Sequence, residues 1–177
     1  RILALFLPFL SSERILQQRE NAPDLTGQAF VLTENVKGAA VIAALDREAH
    51  ALGLAAGMKL ADARALVPDL LAFDHNPLAD AKLLERMAMH CERYTPSVAV
   101  RGGQALILDM TGAMHLYADE AALIEMVEAD FYGQGYALRH AFAPTADAAY
   151  ALASHGLREG AEMQLPVSAL GIDERKT

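Results

Sequence analysis

Residues 43–68 read AALDREAHALGLAAGMKLADARALVP, and two short helical patterns meet here at a glycine-bounded turn. Asp46 can cap the first helix, because an N-cap carboxylate accepts a hydrogen bond from the first helical turn. Gly53 suits the left-handed position that often follows a helix end. The second helix is predicted at Ala61–Leu66, and Pro68 stops it because proline cannot continue a helix. The stretch therefore predicts two short helices in close succession.

Short strand patterns lie on both sides of these helices. Before them, Ala29–Leu32 and Ala39–Ala44 are apolar runs joined by a polar turn, which predicts a hairpin. After them, Leu70–Phe73 predicts a further strand. The breaker residues Asn21–Asp24 separate this segment from the start of the chain, so residues 21–73 are predicted to form a small α/β subdomain.

The remaining sequence predicts an α+β domain with a mostly antiparallel sheet covered by helices on one face. Apolar periodicity, capping residues and the Gly-Gly turn at 102–103 define its elements. In chain order they are a strand at Ile2–Leu7, helices at Ser11–Arg19 and Pro77–Tyr94, strands at Ser97–Val100 and Ala105–Asp109, a helix at Asp119–Phe131, a strand at Tyr136–Phe142 and a helix at Thr145–His155.

Composition and charge limit the class of function. The chain has 177 residues, 53% of them hydrophobic, and a formal net charge of −8. Because phosphate groups are contacted mainly by Lys and Arg, we expect this chain to bind DNA weakly. The single cysteine, Cys91, excludes an internal disulfide and favours the cytoplasm. No apolar run reaches the length of a membrane span, so no membrane association is expected.

The paired helices resemble the fingers of Y-family translesion DNA polymerases. In that family a helix, a Gly-x-x-x-Gly-Met turn and a second helix follow in this order, as Gly53, Gly57 and Met58 do here. Ala105–Gly112 is similar to the palm strand after the family's Ser-x-Asp-Glu motif, and Leu3–Leu10 is similar to its first palm strand.

The resemblance implies a division of the chain. A ferredoxin-like palm would comprise residues 1–20 and 74–160, and the fingers would comprise residues 21–73. Residues 161–177 would form a connector toward missing C-terminal domains. The start at Arg1 and the polar end of the chain also favour a fragment of a longer protein.

The resemblance also assigns positions to the metal-binding acids, and this chain has no acid there. The two acids of the first palm strand fall on Leu5 and Leu7, and the acid pair of the palm hairpin falls on Gln104 and Ala105. Two-metal phosphoryl transfer needs converging carboxylates, because Mg²⁺ takes hard oxygen ligands. We therefore expect no metal site, no cofactor and no polymerase activity. For Asp109, the remaining acid, we expect a turn or capping role.

The nucleotide contacts differ in the same way. The family's triphosphate-binding Tyr and Arg fall on Arg47 and His50, and a later phosphate-contacting Lys falls near Tyr150. This combination is similar to the catalytically inactive ImuB type of bacterial inducible-mutagenesis cassettes. The resemblance implies a non-catalytic adaptor in SOS-type translesion synthesis. Its partners would be a RecA-like accessory protein, a C-family error-prone polymerase and, through the missing C-terminal regions, the sliding clamp.

Other interpretations stay open at this stage. An active translesion polymerase could use displaced carboxylates, for instance Asp109 with Glu13 or Asp46. A ferredoxin-like metabolic or ligand-binding domain would place residues 29–73 in one continuous sheet with the rest. A plain DNA-binding module is disfavoured by the acidic charge. Gln164–Ser168 is similar to a clamp-binding pentapeptide but lacks the terminal aromatic residue, so we assign it to the connector.

Overall fold

The computed structural model describes residues 1–18, 25 and 27–156. Its elements in chain order are β1 (Ile2–Phe6), α1 (Leu10–Gln18), β2 (Phe30–Val36), β3 (Ala39–Leu45), α2 (Arg47–Ala51), α3 (Leu60–Leu66), β4 (Leu71–Asp74), α4 (Pro77–Cys91), β5 (Val98–Arg101), β6 (Ala105–Asp109), a 3₁₀ turn (Met114–Leu116), α5 (Glu120–Gly133), β7 (Arg139–Ala143) and α6 (Ala146–His155). The predicted α+β class is confirmed. None of the described helices has the length and apolar character that crossing a bilayer requires.

Strand β1 lies inside a large antiparallel sheet of order β5-β6-β1-β7. Its side chains alternate between the two faces, as in any strand. Leu3 and Leu5 belong to the main core together with Leu84 of α4 and Val127 of α5. Ala4, between them, belongs to a second cluster on the other face.

That second cluster shows that the sheet is covered on both faces, so the expectation of one covered face was wrong. Helix α6 packs Ala149 and Ala153 against Ala4 and Ile107. Alanine side chains let the helix backbone approach the strands closely. The sequence predicted this helix, but which face of the sheet a helix covers is decided by long-range packing that a local pattern does not contain.

A small sheet of order β3-β2-β4 forms separately from the large one among the described residues. The β2–β3 hairpin was predicted, and β4 pairs with β2 in parallel. Helices α2 and α3 bury Ala49 and Ala63 in a core of their own with Val31 and Ile42. Because the two sheets are not continuous, the structure argues against a single ferredoxin-like sheet.

Most predicted boundaries agree with the structure to within three residues, but β2 continues to Val36, four residues beyond its predicted end. Strand β7 begins at Arg139, later than predicted, because Tyr136 and Leu138 instead enter the main core from the preceding connection. The 3₁₀ turn at Met114–Leu116 was not predicted. The breaker at 21–24 and the connector at 161–177, with its pentapeptide, lie outside the described residues.

A buried carboxylate joins the two ends of the small-sheet segment. Asp80 of α4 is only 6% exposed. It accepts hydrogen bonds from Arg14 Nε at 2.5 Å and Ser11 Oγ at 2.6 Å, both on α1. His75 Nε2, just after β4, lies 2.9 Å from the same carboxylate. Helix α1 precedes the small sheet and α4 follows it, so this network fixes where the segment leaves and returns.

We expect Asp80→Ala to lower the free energy of unfolding by about 3–5 kcal/mol, because removing one partner of a buried ion pair leaves the other buried without its counter-charge. Urea unfolding followed by circular dichroism measures the change.

Asp147→Ala is the matched control for this change. Asp147 also pairs with an arginine, but its side chain is 85% exposed, so the expected loss is below about 1 kcal/mol. Equal losses in the two variants would contradict the role given to the buried network.

Candidate functional site

A cleft of about 410 Å³ lies where the end of β1 meets the start of α2 and the connection before β7. We call it the aromatic cleft. Its lining is mostly apolar, with one arginine and one histidine. The lining residues are Phe6, Pro8, Phe9, Leu45, His50, Ala137, Leu138 and Arg139.

The alternation of β1 decides which of its residues reach the cleft. Leu5 and Leu7 are fully buried in the main core. Phe6 and Pro8 are partly exposed and line the cleft. A carboxylate at position 5 or 7 would therefore point into the core beneath α4 and α5.

The register with β6 gives the same result. Phe6 lies opposite Ala105, whereas Leu5 lies opposite Leu106, so Leu5 and Ala105 point to opposite faces of the sheet. A shift of one residue along a strand reverses the face to which a side chain points. Leu5 and Leu7, the positions that the resemblance assigned to the lost acids, therefore face the core, whereas Phe6 and Pro8 face the cleft.

The other two predicted positions lie at the start of β6. The Gln104 carbonyl accepts a hydrogen bond from the Leu7 amide at 2.8 Å, and Ala105 is fully buried. Within the described residues, no three or more His, Cys, Asp or Glu side chains are grouped so that they could hold a metal ion.

Rings and guanidinium groups fill this end of the sheet, on the face covered by α6. The Arg139 guanidinium lies 4.9 Å from the centroid of the Phe6 ring. Phe6 meets Tyr150 edge-on at 6.5 Å, and the Arg101 guanidinium lies 4.8 Å from the centroid of the Tyr150 ring. Asp147 pairs with Arg101 at 2.6 Å. We call Arg139, Phe6, Tyr150 and Arg101 the aromatic stack, which cation–π attraction stabilises.

Arg47 and His50, the predicted nucleotide-contact positions in the small-sheet segment, both contact Phe9. The Arg47 guanidinium lies 5.7 Å from the centroid of the Phe9 ring, and the His50 ring meets Phe9 edge-on at 5.8 Å. Arg47 also binds Glu13 of α1 at 3.0 Å. Tyr150, the third predicted position, lies elsewhere, in the aromatic stack.

Glu13 contacts two other parts of the chain at once, and the sequence did not predict these contacts. One carboxylate oxygen binds Arg47, and the other accepts the Ala137 amide at 3.0 Å. Burial raises the pKa of Glu13, although the hydrogen bonds from Arg47 and Ala137 oppose that shift. Beside it, Ser12 Oγ donates to the Leu45 carbonyl at 3.0 Å. These contacts connect α1, the start of α2 and the connection before β7.

The acids proposed as displaced metal ligands are therefore separated. Asp109 lies opposite Ile2, at the far end of β1 from the cleft. Its carboxylate accepts the Thr111 amide at 2.9 Å, and hydrogen bonding from Thr111 lowers its pKa. The predicted turn role of Asp109 is confirmed. Asp46 caps α2 by accepting the Ala49 amide at 2.8 Å.

The sequence was compared with family models and with curated proteins. A model of the impB/mucB/samB family matches residues 9–154. Protein ImuB of Caulobacter vibrioides strain NA1000 is 41% identical over 132 residues, which cover 70% of this chain and 29% of that protein. Protein ImuB of Caulobacter vibrioides strain ATCC 19089 gives the same values. The chain thus spans less than a third of the curated relatives that it matches.

Solved structures share the fold. The post-insertion binary complex of Dbh DNA polymerase superposes with a TM-score of 0.77 at 14% identity, covering 89% of this chain and 46% of that one. DinB from Sulfolobus solfataricus gives a TM-score of 0.71 at 16% identity, with the same coverage. The fold is therefore that of the palm and fingers of Y-family polymerases, as the sequence predicted.

Two neighbouring glycines test the packing of Tyr150. Gly102 and Gly103 both have left-handed backbone, with φ of +61° and +74°, but only at Gly102 would a Cβ lie 2.7 Å from Tyr150 Oη. We expect Gly103→Ala to lower the free energy of unfolding by about 1–2 kcal/mol, because a residue with a Cβ is strained in the left-handed conformation. Gly102→Ala is expected to cost about 1–3 kcal/mol more, because Tyr150 must move.

Thermal and urea unfolding measure both losses. Adding Tyr150→Phe to Gly102→Ala removes the closest atom and should recover part of the excess. Equal losses at the two glycines would show that Tyr150 is free to move.

The raised pKa of Glu13 predicts a pH dependence of stability. The folded state holds this proton more tightly than the unfolded chain, so the stabilisation is complete below the usual Glu pKa of about 4.3. It is lost as pH rises through the pKa of folded Glu13. Relative to Glu13→Gln, which keeps an oxygen for the Ala137 amide, the wild type should therefore lose stability with rising pH.

Urea unfolding at a series of pH values measures this difference. Glu34→Gln, at an exposed position on β2, is the control and should follow the wild type. A wild type that gains stability over Glu13→Gln as pH rises would contradict the prediction.

Proposed function

The chain belongs to the impB/mucB/samB family, and on that premise we propose that it is a polymerase-like component of DNA damage tolerance that does not itself synthesise DNA. The proposal concerns the palm and fingers, because the chain covers 29% of the ImuB relatives.

The absence of acids among the described residues that line the aromatic cleft carries this proposal. Phe6 at the end of β1 and Pro8 just after it face the cleft, and Ala105 lies opposite Phe6. A phenyl ring, a proline ring and a methyl group offer no oxygen to Mg²⁺, which requires hard ligands. In two-metal phosphoryl transfer the metal ions stabilise the attacking and the leaving oxygen. Without ligands to hold those ions, this mechanism cannot operate.

The arginines near the cleft, which could otherwise contact a nucleotide, support the same proposal. Arg47 is paired with Glu13, so its charge is partly neutralised. Arg139 is packed over Phe6, where an active enzyme of this architecture would need room for metal ions. A bound triphosphate would have to break the Arg47–Glu13 ion pair and displace Arg139 from the Phe6 ring.

We propose the role of an adaptor in SOS-type translesion synthesis and mutagenesis, acting in the cytoplasm. A RecA-like accessory protein, a C-family error-prone polymerase and the sliding clamp are the proposed partners, with the clamp bound through regions beyond this chain. The likeness to Protein ImuB supports this role. The net charge of −8 is consistent with weak DNA binding by this part of the protein.

We also propose the division into a palm of residues 1–20 and 74–160, fingers of residues 21–73, and a connector of residues 161–177. The separate cores of the two sheets support the first two units.

Primer extension tests the catalytic proposal. The full-length protein, incubated with a primed template, all four deoxynucleoside triphosphates and Mg²⁺ or Mn²⁺, is expected to add no nucleotide, because no carboxylates hold the metal ions. Extension products are resolved on a denaturing gel, with an active Y-family polymerase as the positive control.

Incorporation that depends on the metal and disappears in Asp109→Ala would overturn the proposal in favour of an active polymerase. A trace of incorporation that persists in Asp109→Ala and separates from the protein on further purification indicates a contaminating polymerase, and leaves the purified protein inactive as expected.

A further inference from the structure

We propose that the aromatic cleft is a docking pocket for an extended segment of a partner protein, with one large apolar side chain inserted and acidic residues beside it. The proposal rests on the non-catalytic function proposed above, because an active site would need this space for nucleotide and metal.

The shape and lining of the cleft suit an apolar anchor. Phe6, Pro8, Phe9, Leu45 and Leu138 supply apolar surface around its volume of about 410 Å³. Pockets of about 300–1,000 Å³ hold compact ligands, and a single aromatic side chain in such a pocket often dominates the binding energy of a protein interface.

The charges around the cleft favour acidic residues on either side of the inserted side chain. Arg139, exposed in the lining, carries a positive charge, His50 is exposed in the same lining, and none of the described residues that line the cleft is acidic. Arg47, 60% exposed, lies beside Phe9 and adds only part of its charge, because it is paired with Glu13. The nearby acid, Glu13, is buried and already paired with Arg47. On a chain with a net charge of −8, this local positive character is complementary to acidic residues.

The arrangement of the rings favours a peptide over nucleic acid. Single strands bind by stacking bases on open ring faces along a groove of many cations. Here one face of Phe6 is covered by Arg139 and one face of Phe9 by Arg47, while Tyr150 and His50 pack edge-on against these rings. Aliphatic and aromatic side chains can instead pack against ring edges and the apolar walls.

Selection from a random dodecapeptide library displayed on phage tests the proposal. The immobilised 177-residue chain is the target, and the Arg139→Glu variant is used to remove peptides that bind elsewhere. We expect enriched peptides to share a Trp, Phe or Leu flanked by Asp or Glu. No enrichment, or a basic consensus, would overturn the proposal.

Fluorescence anisotropy with one labelled, enriched peptide then locates its site. Arg139→Glu and His50→Glu should each weaken binding at least about tenfold, as should replacing the central apolar residue of the peptide by Ala. Lys82→Glu, an exposed position on α4, is the matched charge reversal and should change affinity less than twofold. Circular dichroism confirms that each variant is folded.

Binding that is insensitive to both cleft variants would place the peptide elsewhere and overturn the proposal. Tighter binding of a twelve-nucleotide oligothymidylate, lost in the same variants, would identify a nucleic-acid site instead. Because primer extension is measured separately, incorporation there would refute the non-catalytic function, whereas an inactive protein that binds no acidic peptide would refute only the docking pocket.

Discussion

Strand β1 lies between β6 and β7, and its hydrogen bonds to both neighbours fix the direction of every side chain along it. Leu3, Leu5 and Leu7 are thereby committed to the core beneath α4 and α5, while Phe6 and Pro8 are committed to the cleft. The side chains of the core and of the cleft therefore depend on the same register, because shifting the strand by one residue would move each side chain to the other face of the sheet. The chemistry available in the cleft follows from this register.

Helix α1 contacts both the small-sheet segment and α4 through buried charged side chains. Glu13 and Arg14 are each about 95% buried; Glu13 pairs with Arg47 of α2, and Arg14 pairs with Asp80 of α4. Burying charges costs desolvation energy that their mutual attraction only partly returns. What the Glu13–Arg47 pair supplies is a defined placement of α2, which carries His50, against α1. The aromatic cleft depends on that placement, because His50 belongs to the fingers and Phe9 to the palm.

Local signals in the sequence were sufficient for the elements but not for the site. Asp46 predicted the start of α2 correctly, because an N-cap residue bonds to an amide only three positions away. The direction of Leu5 depends on its partner Leu106, about a hundred positions along the chain, and aligning motifs carries no information about such a register. The Glu13–Arg47 pair is likewise non-local. The family was recognised from the fingers segment, whose spacing is local, whereas the direction in which Leu5 and Leu7 point required the structure.

The aromatic stack also bears on what an acidic residue could do at position 6. An aspartate restored at position 6 would lie beside the Arg139 guanidinium, now over the Phe6 ring, and would form an ion pair with it in preference to binding a metal ion. It would also remove the ring that Tyr150 packs against. A single substitution to an acid at position 6 therefore loses packing without gaining a metal ligand.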